Sequence, residues 1–216
     1  MGKEKLYDFG TAGGGEMIRA NPAKYENWFN SLIGRYAEAS EKRLIAKHLK
    51  INYGDRILDI GCGTGRFTSN FIGQGAEVHG LDSSWEMVRF AEDKYPGIEF
   101  KVGEAESICW PDNYFNVVVA ITALEFISDP QKALFEMKRV LKPGGSILIG
   151  ALNRGHPWAA YRKLRGFLGH PIWSKARFFT RAEMKRLLNK AGITDIVCES
   201  ALFGAFILFK GGSRYV

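Results

Sequence analysis

The stretch Arg56-Ile-Leu-Asp-Ile-Gly-Cys-Gly-Thr-Gly-Arg-Phe67 decides the fold. Its apolar half, Ile57, Leu58 and Ile60, reads as a short buried strand. It runs directly into glycines at alternate positions, Gly61, Gly63 and Gly65. A helical pattern marked by Phe67, Phe71 and Ile72 follows and stops at Gly73 or Gly75. Strand, glycine turn and helix in that order bring backbone N–H groups and a helix N-terminus against a nucleotide-like ligand. Glycine is demanded there because the turn needs positive φ and because a Cβ would obstruct the ligand. The spacing is G-x-G-x-G. Arg66 stands where the dinucleotide fingerprint G-x-G-x-x-G would place its third glycine.

Working outward, short apolar runs alternate with helical ones. Glu77–Leu81 reads as a second strand ending at Asp82, and a helix through Trp85, Met87, Val88 and Ala91 follows it. Ser83 or Ser84 caps that helix, with Glu86 three residues after Ser83 as in a capping box. Residues 98–102, 117–121 and 146–151 read as strands three to five, and a helix over 130–141 precedes Pro143-Gly144-Gly145. Such alternation predicts a parallel sheet covered on both faces, with every strand C-terminus on one edge. Upstream, Tyr25, Trp28, Phe29, Leu32 and Ile33 keep helical spacing, and a second helix over 38–50 turns Leu44, Ile45, His48 and Leu49 inward. Residues 1–20, with Gly10 and Gly13–Gly15, show no steady period and read as a loose arm. Residues 152–178 break the alternation with a helix from Pro157 to Leu168. Thr180 then caps a last helix, and two closing strands over 194–200 and 205–209 read as an antiparallel hairpin.

Asp59-Ile-Gly-Cys-Gly-Thr-Gly65 closely resembles motif I of the class I S-adenosylmethionine (SAM) dependent methyltransferases, in which the turn wraps the amino-acid part and ribose of the cofactor. Three further stretches resemble the same family in the right order: Val102–Val119, Glu136-Met-Lys-Arg-Val-Leu-Lys-Pro-Gly-Gly-Ser146 and Phe178–Gly192. The last two look like its small-molecule, quinone-methylating branch. The resemblance spans about residues 40–210. It implies a Rossmann-like, mostly parallel seven-stranded sheet with a C-terminal antiparallel hairpin. One domain is expected, built as an N-terminal arm and lid helix (1–37), a cofactor core (38–151), a basic aromatic insertion (152–178) and a final helix with hairpin (179–216).

The resemblance also assigns residues. Asp59, Gly61, Cys62, Gly63 and Gly65 would hold the cofactor, with Asp82 accepting both ribose hydroxyls beside Ser83 and Met87. Asp82 could instead only cap the next helix. Glu104 and Ala105 would meet the adenine, while Ala120 and Ile121 end the strand beneath it. The family more often has Asp at position 104, and it usually has Asp where Asn116 stands, which reads as a structural departure. Glu125, at the mouth of strand four, is the candidate general base; it could equally bind a substrate hydroxyl or the cofactor's ammonium group. Tyr25, Trp28, Phe29, Phe126, Asn153, Trp158, Tyr161 and Trp173 would line the acceptor pocket. The aromatic stripe at 25–33 could also be ordinary core, and His48 reads as a hydrogen-bonded core histidine. The expected product is S-adenosylhomocysteine, and no metal is required.

The 216 residues suffice for a full core, and 46% hydrophobic with 25% charged residues is globular composition. No apolar run reaches membrane-spanning length, and the first residues lack the apolar centre of a signal peptide. Cys62, Cys109 and Cys198 lie far apart with no C-x-x-C, which suggests a reducing compartment, by default the cytoplasm. The formal charge of +7 is uneven. Residues 1–150 hold 18 Lys and Arg against 20 Asp and Glu (net −2), while residues 151–216 hold 12 against 3 (net +9). That points to something local around 154–190: an anionic acceptor, an anionic membrane surface touched by Trp158, Tyr161, Leu164 and Phe167, or a solvated lid. A small or medium-sized apolar, aromatic acceptor is the expected substrate. A nucleic-acid substrate is disfavoured, since neither an Asn-Pro-Pro-Tyr motif nor an RNA-binding domain is present. A non-catalytic SAM-binding protein is the remaining alternative.

Overall fold

The structure, a computed structural model, describes residues 21–73, 75–169 and 173–213. The expected loose arm at 1–20 lies outside the described residues. Seven strands form one sheet: β1 (Arg56–Ile60), β2 (Glu77–Asp82), β3 (Glu99–Val102), β4 (Phe115–Ile121), β5 (Leu141–Leu152), β6 (Thr194–Ala201) and β7 (Phe206–Gly212). Their spatial order is β3-β2-β1-β4-β5-β7-β6. β1 to β5 pair in parallel, and β7 lies antiparallel to both β5 and β6. The expected hairpin is therefore wedged with its second strand against β5.

Helices α2 (Leu32–His48) and α3 (Trp85–Lys94) cover one face through Leu44, Ile45, Val88 and Ala91, packed with Val117, Val119 and Leu148. α4 (Pro130–Val140) and α6 (Arg181–Lys190) cover the other through Leu134, Met137, Met184 and Leu188, packed with Leu58, Ile60 and Val118. β1 and β4 are buried on both sides, which is why their sequences are mostly apolar, with Asp59 the buried polar exception in β1.

Three local expectations need correction. The helix expected after the glycine turn is only a 3-10 turn, Thr68–Phe71. The Ser69 hydroxyl and Asn70 amide donate back to the carbonyls of Arg66 and Phe67, offering the backbone an alternative to helix, and Gly73 and Gly75 then take positive φ. Ile72 is half exposed as a result.

The upstream stripe is not one helix either. α1 (Pro22–Asn30) stops at Ser31, which caps both segments: its N–H donates to the Trp28 carbonyl and its Oγ accepts the Gly34 N–H. Leu32 and Ile33 are consequently 79% and 69% exposed. Gly34 permits the tight join, since a Cβ there would lie 2.1 Å from the Trp28 carbonyl oxygen.

The third correction is the cap of α3. It is Ser84, which accepts the Met87 N–H and donates to Glu86, so Ser83 forms no capping box. The capping box that does occur is Thr180–Glu183 at the start of α6.

Candidate active site

Parallel pairing places the C-terminal ends of β1, β2 and β4 side by side, and the candidate residues gather along that edge. Gly61, Gly63 and Gly65 take φ of 68°, 53° and 75°, as the turn reading requires. A Cβ on Gly61 would lie 2.5 Å from the Ala123 Cβ, so this glycine admits the loop that follows β4. A Cβ on Gly63 would meet nothing within 4 Å, so here the bare backbone borders open space.

Asp82 ends β2 and grips that turn. Its Oδ2 accepts the Gly63 N–H at 2.8 Å and its Oδ1 accepts the Ser84 N–H at 2.9 Å. Burial raises its pKa, opposed by the backbone N–H groups of Ser84, Gly63 and Ser83. One carboxylate thus joins the glycine turn to the start of α3. Asp59 lies deeper. Its Oδ2 accepts the Thr68 hydroxyl at 2.6 Å, and burial pushes its pKa up to about 7, with the Asp82 charge adding to the shift. Cys62 is buried, and its thiol is pushed up by burial and then by Asp82 and Asp59.

Met87 is buried at the start of α3, and Ala120 and Ile121 are buried at the end of β4. Thr122 then takes φ of 50° and donates its N–H to the Gly150 carbonyl, which turns the chain toward Glu125. Glu104 is exposed and Ala105 buried on the loop after β3. Arg139 braces the far part of that loop by donating to the carbonyls of Ile108 and Trp110 and pairing with Asp112 and Glu136. Asn116 sits at the opposite end of the sheet, where its Oδ1 accepts the Arg56 N–H and Lys142 Nζ.

The sequence reading did not single out the charged tether that seats α1 on the glycine turn. Glu26 on α1 accepts the Thr64 hydroxyl at 2.6 Å, Arg66 at 3.0 Å and Lys94 of α3 at 2.6 Å. Arg66 also pairs with Glu38 of α2 at 2.9 Å and lies over the Phe29 ring. Burial works to raise the pKa of Glu26, but Lys94, Thr64 and Arg66 outweigh it and hold the carboxylate ionised. The residue that breaks the dinucleotide spacing is therefore the one that ties α1 and α2 to the turn, while Glu26 brings in α3 through Lys94. A charged residue inside a glycine-rich turn was the available signal. Through this tether Tyr25, Trp28 and Phe29 form an aromatic cluster beside the turn, Phe29 buried at its centre. Burial, and then Glu41, Asp59, Asp82 and Glu26, raise the Tyr25 hydroxyl pKa, which places that hydroxyl among the site's acids.

Past the end of β4, Glu125 is fully buried. Its Oε1 accepts the Leu152 N–H at 2.6 Å, and its Oε2 has no hydrogen-bond partner among the described residues. Burial raises its pKa to about 7. α5 (Pro157–Phe167) carries Trp158, Tyr161 and Arg162, and the Arg162 charge reaches Glu125. Phe126, Trp173 and Phe178 form a second aromatic group next to it, with Trp173 stacked on Phe178 at 6.2 Å between ring centroids. Asn153 is engaged within its own loop, donating to the Gly204 carbonyl and accepting the Gly155 N–H. His48, by contrast, pairs with Glu199 at 2.8 Å on the far flank of α2. A groove of about 590 Å³ between α2 and Phe67–Phe71, lined by Lys42, Ile45, Leu49 and Asn70, lies outside this gathering of acids.

The residues present fit an adenosyl amino acid. Open space borders the bare turn at Gly63, an acid stands at the end of β2, and aromatic rings lie to one side. Comparison with known proteins agrees. The family profile described as "Methyltransferase domain" matches residues 58–149. An uncharacterized protein of Methanocaldococcus jannaschii is 31% identical over 83% of this chain and 82% of its own length. A demethylmenaquinone methyltransferase of Lactobacillus johnsonii is 27% identical over 88% of each chain. An uncharacterized Mycobacterium tuberculosis protein is 35% identical, and the chain spans only 59% of the length of these mycobacterial relatives. The crystal structure of a Thermotoga maritima SAM-dependent methyltransferase, described as a possible histamine N-methyltransferase, superposes with a TM-score of 0.76 at 27% identity. It covers 89% of this chain and 96% of that one. This sheet order, this glycine turn and these relatives make residues 58–149 a methyltransferase domain within a class I SAM-dependent methyltransferase fold.

Proposed function

We propose that the chain methylates a small or medium-sized, apolar aromatic acceptor held between Glu125 and the rings of α5 and its neighbours. The observation that carries this reading is the aromatic wall of Phe126, Trp158, Trp173 and Phe178 beside a buried carboxylate with one free oxygen. The likeness to a demethylmenaquinone methyltransferase along most of the chain supports an acceptor of that general kind.

The cofactor, when bound, supplies a methyl group already activated on a sulfonium. Asp82 and the glycine turn hold its ribose and amino-acid part, with Asp59 behind the turn and Ser83 and Met87 beside it. Glu104 and Ala105 meet the adenine, and Ala120 and Ile121 form the floor. The protein's remaining tasks are to align a nucleophile at roughly 3 Å and to exclude water. α1, locked by Glu26, closes one side with Tyr25, Trp28 and Phe29; α5 closes the other. Glu125 Oε2 takes the proton that a hydroxyl nucleophile loses, and a carboxyl titrating near 7 is suited to that task. The acceptor panel is the direct test: labelled SAM with phenols, quinols, thiols and amines. Label entering phenols or quinols supports this reading, and label entering only thiols or RNA overturns it.

One observation favours a variant in which the acceptor is lipid-like and reached at a membrane surface. Leu164 and Phe167 on α5 and Leu168 just past its end are 57%, 88% and 74% exposed, next to Lys163 and Arg165. Among the described residues no helix is long and apolar enough to cross a membrane, so contact would be peripheral. Sedimentation with anionic vesicles at low salt decides the point, and failure to co-sediment removes this variant.

A further inference from the structure

Three ionisable side chains from distant parts of the chain lie close enough to feel one another's charge: Glu41 of α2, Glu125 after β4 and Arg162 of α5. Glu41 is 7% and Glu125 1% exposed. Arg162 feels both carboxylates through space, yet no hydrogen bond joins it to either among the described residues. Its guanidinium instead lies over the rings of Trp173, at 4.4 Å, and Trp158, at 5.4 Å. A guanidinium that stacks by its face keeps its N–H donors in plane and available. Across from it, Glu125 Oε2 is an acceptor with no partner among the described residues. Buried acids and a base that face one another without contact are costly unless something completes their hydrogen bonds.

We propose that Glu41, Glu125 and Arg162 form the polar end of the acceptor pocket, and that this end takes an uncharged aromatic compound bearing both a hydroxyl and a carbonyl oxygen. The inference rests on the methyltransferase reading of the site. The hydroxyl donates to Glu125 Oε2, and the carbonyl accepts from Arg162. The ring lies against the wall built by Trp173, Phe178 and Phe126. The ligand is uncharged because the site balances itself: burial favours the protonated form of both acids, and one ionised carboxylate is enough to match the guanidinium. Glu41, which interacts through space with Glu125, Arg162 and the Tyr25 hydroxyl, carries that balancing charge or its proton.

The test uses the full chain saturated with S-adenosylhomocysteine. Binding of 3- and 4-hydroxyacetophenone, the corresponding methoxyacetophenones (hydroxyl donor removed) and ethylphenols (carbonyl removed) is followed by calorimetry and tryptophan quenching. At least one hydroxyacetophenone isomer is expected to bind ten-fold or more tightly than both of its analogues. Arg162→Met keeps an aliphatic stem and should erase the preference over the ethylphenol while leaving that over the methoxy compound. Glu125→Met should do the reverse, with S-adenosylhomocysteine affinity reporting that each variant is folded. Equal binding of the three compounds, no binding of any, or a preference unmoved by Arg162→Met overturns the proposal. If the wild-type chain binds the three compounds alike but still binds S-adenosylhomocysteine, only this assignment falls. If S-adenosylhomocysteine itself does not bind, the methyltransferase reading falls with it.

Discussion

Glu26 on α1 accepts the hydroxyl of Thr64, inside the glycine turn, at 2.6 Å. The two residues are 38 positions apart, and their bond makes the N-terminal helix a structural part of the cofactor turn. Because the same carboxylate also holds Arg66 and Lys94, removing it leaves three donors without their acceptor. Glu26→Ala should therefore destabilise the chain by about 2 kcal/mol, in the range for hydrogen bonds to a charged group. The loss should concentrate at α1, seen as faster amide exchange over residues 22–30, and SAM affinity should drop with it. Unchanged exchange there would show that α1 is held by its aromatic face alone.

Gly61 faces Ala123 so closely that any Cβ must displace the loop after β4. Gly61→Ala also strains a residue at φ of 68°. Overpacking and left-handed strain together should cost roughly 2–4 kcal/mol. The Ala123→Gly background should recover the steric part but not the strain part. A urea-melt cycle over the two single variants and the double variant measures the coupling.

Asp82 holds the N–H groups of Gly63 and Ser84, and under the proposed function it also meets the ribose. Asp82→Ala should weaken SAM binding on the order of 10²–10³-fold, the equivalent of two charge-assisted hydrogen bonds. Asp82→Asn should fall between, because its single carbonyl oxygen can serve only one of the backbone donors well. Calorimetry with SAM provides the comparison, and a loss of only a few-fold for the alanine variant takes Asp82 out of the ribose site.

The buried acids predict how stability depends on pH. Glu41 has its pKa raised from 4.5 to about 8, chiefly by burial, with Glu125 and Glu38 adding and Arg162 opposing. Glu125 is raised from 4.5 to about 7 by burial, against the Leu152 N–H. Between those limits the folded chain holds protons that the unfolded chain has released, so stability is fullest below about 4.5 for these two groups and declines as pH rises through 7 and 8. The effect is on the order of a few kcal/mol. Urea midpoints of the wild type should fall from pH 5 to pH 8, and Glu41→Gln should flatten the slope. Asp59, pushed up to about 7, adds in the same sense, whereas Glu26 and Glu136 have lowered pKa values and contribute in the opposite sense at more acid pH, so the Glu41→Gln comparison reads the share of Glu41 alone.

Catalysis should show the opposite trend over the same range. If Glu125 takes the proton, turnover rises as pH passes through about 7, where its Oε2 becomes an acceptor. Glu125→Gln should lower kcat by 10²–10⁴-fold, typical for loss of a positioned base, and remove that inflection. Full turnover with an unchanged pH profile would leave Glu125 as a binding group only.

The strand-to-turn stretch at Arg56–Phe67 was legible in the sequence because its features are local. Glycines at alternate positions permit the positive φ that a tight turn needs, and a doubly buried strand must be largely apolar. Seven strands, mostly parallel with a closing antiparallel hairpin, followed from the alternation, whereas their spatial order, β3-β2-β1-β4-β5-β7-β6, came only with the packed sheet. The helix expected after the turn was misread because Phe67, Phe71 and Ile72 satisfy a helical period, while the competing side-chain bonds of Ser69 and Asn70 carry no periodic signal. Leu32 and Ile33 were misread in the same way, their spacing being right but the chain breaking at Ser31.

Sequence alone determined that this chain builds a class I cofactor turn, since backbone conformation and strand burial are written in neighbouring residues. Tertiary structure decided which charges meet. Glu26 with Thr64, Arg66 and Lys94, and Glu41 with Glu125 and Arg162, are pairings across tens of residues between elements that show no mutual pattern in the chain. Their energetics come from burial, which depends on how α1, α2 and α5 close over the sheet edge, and only the packed molecule sets that.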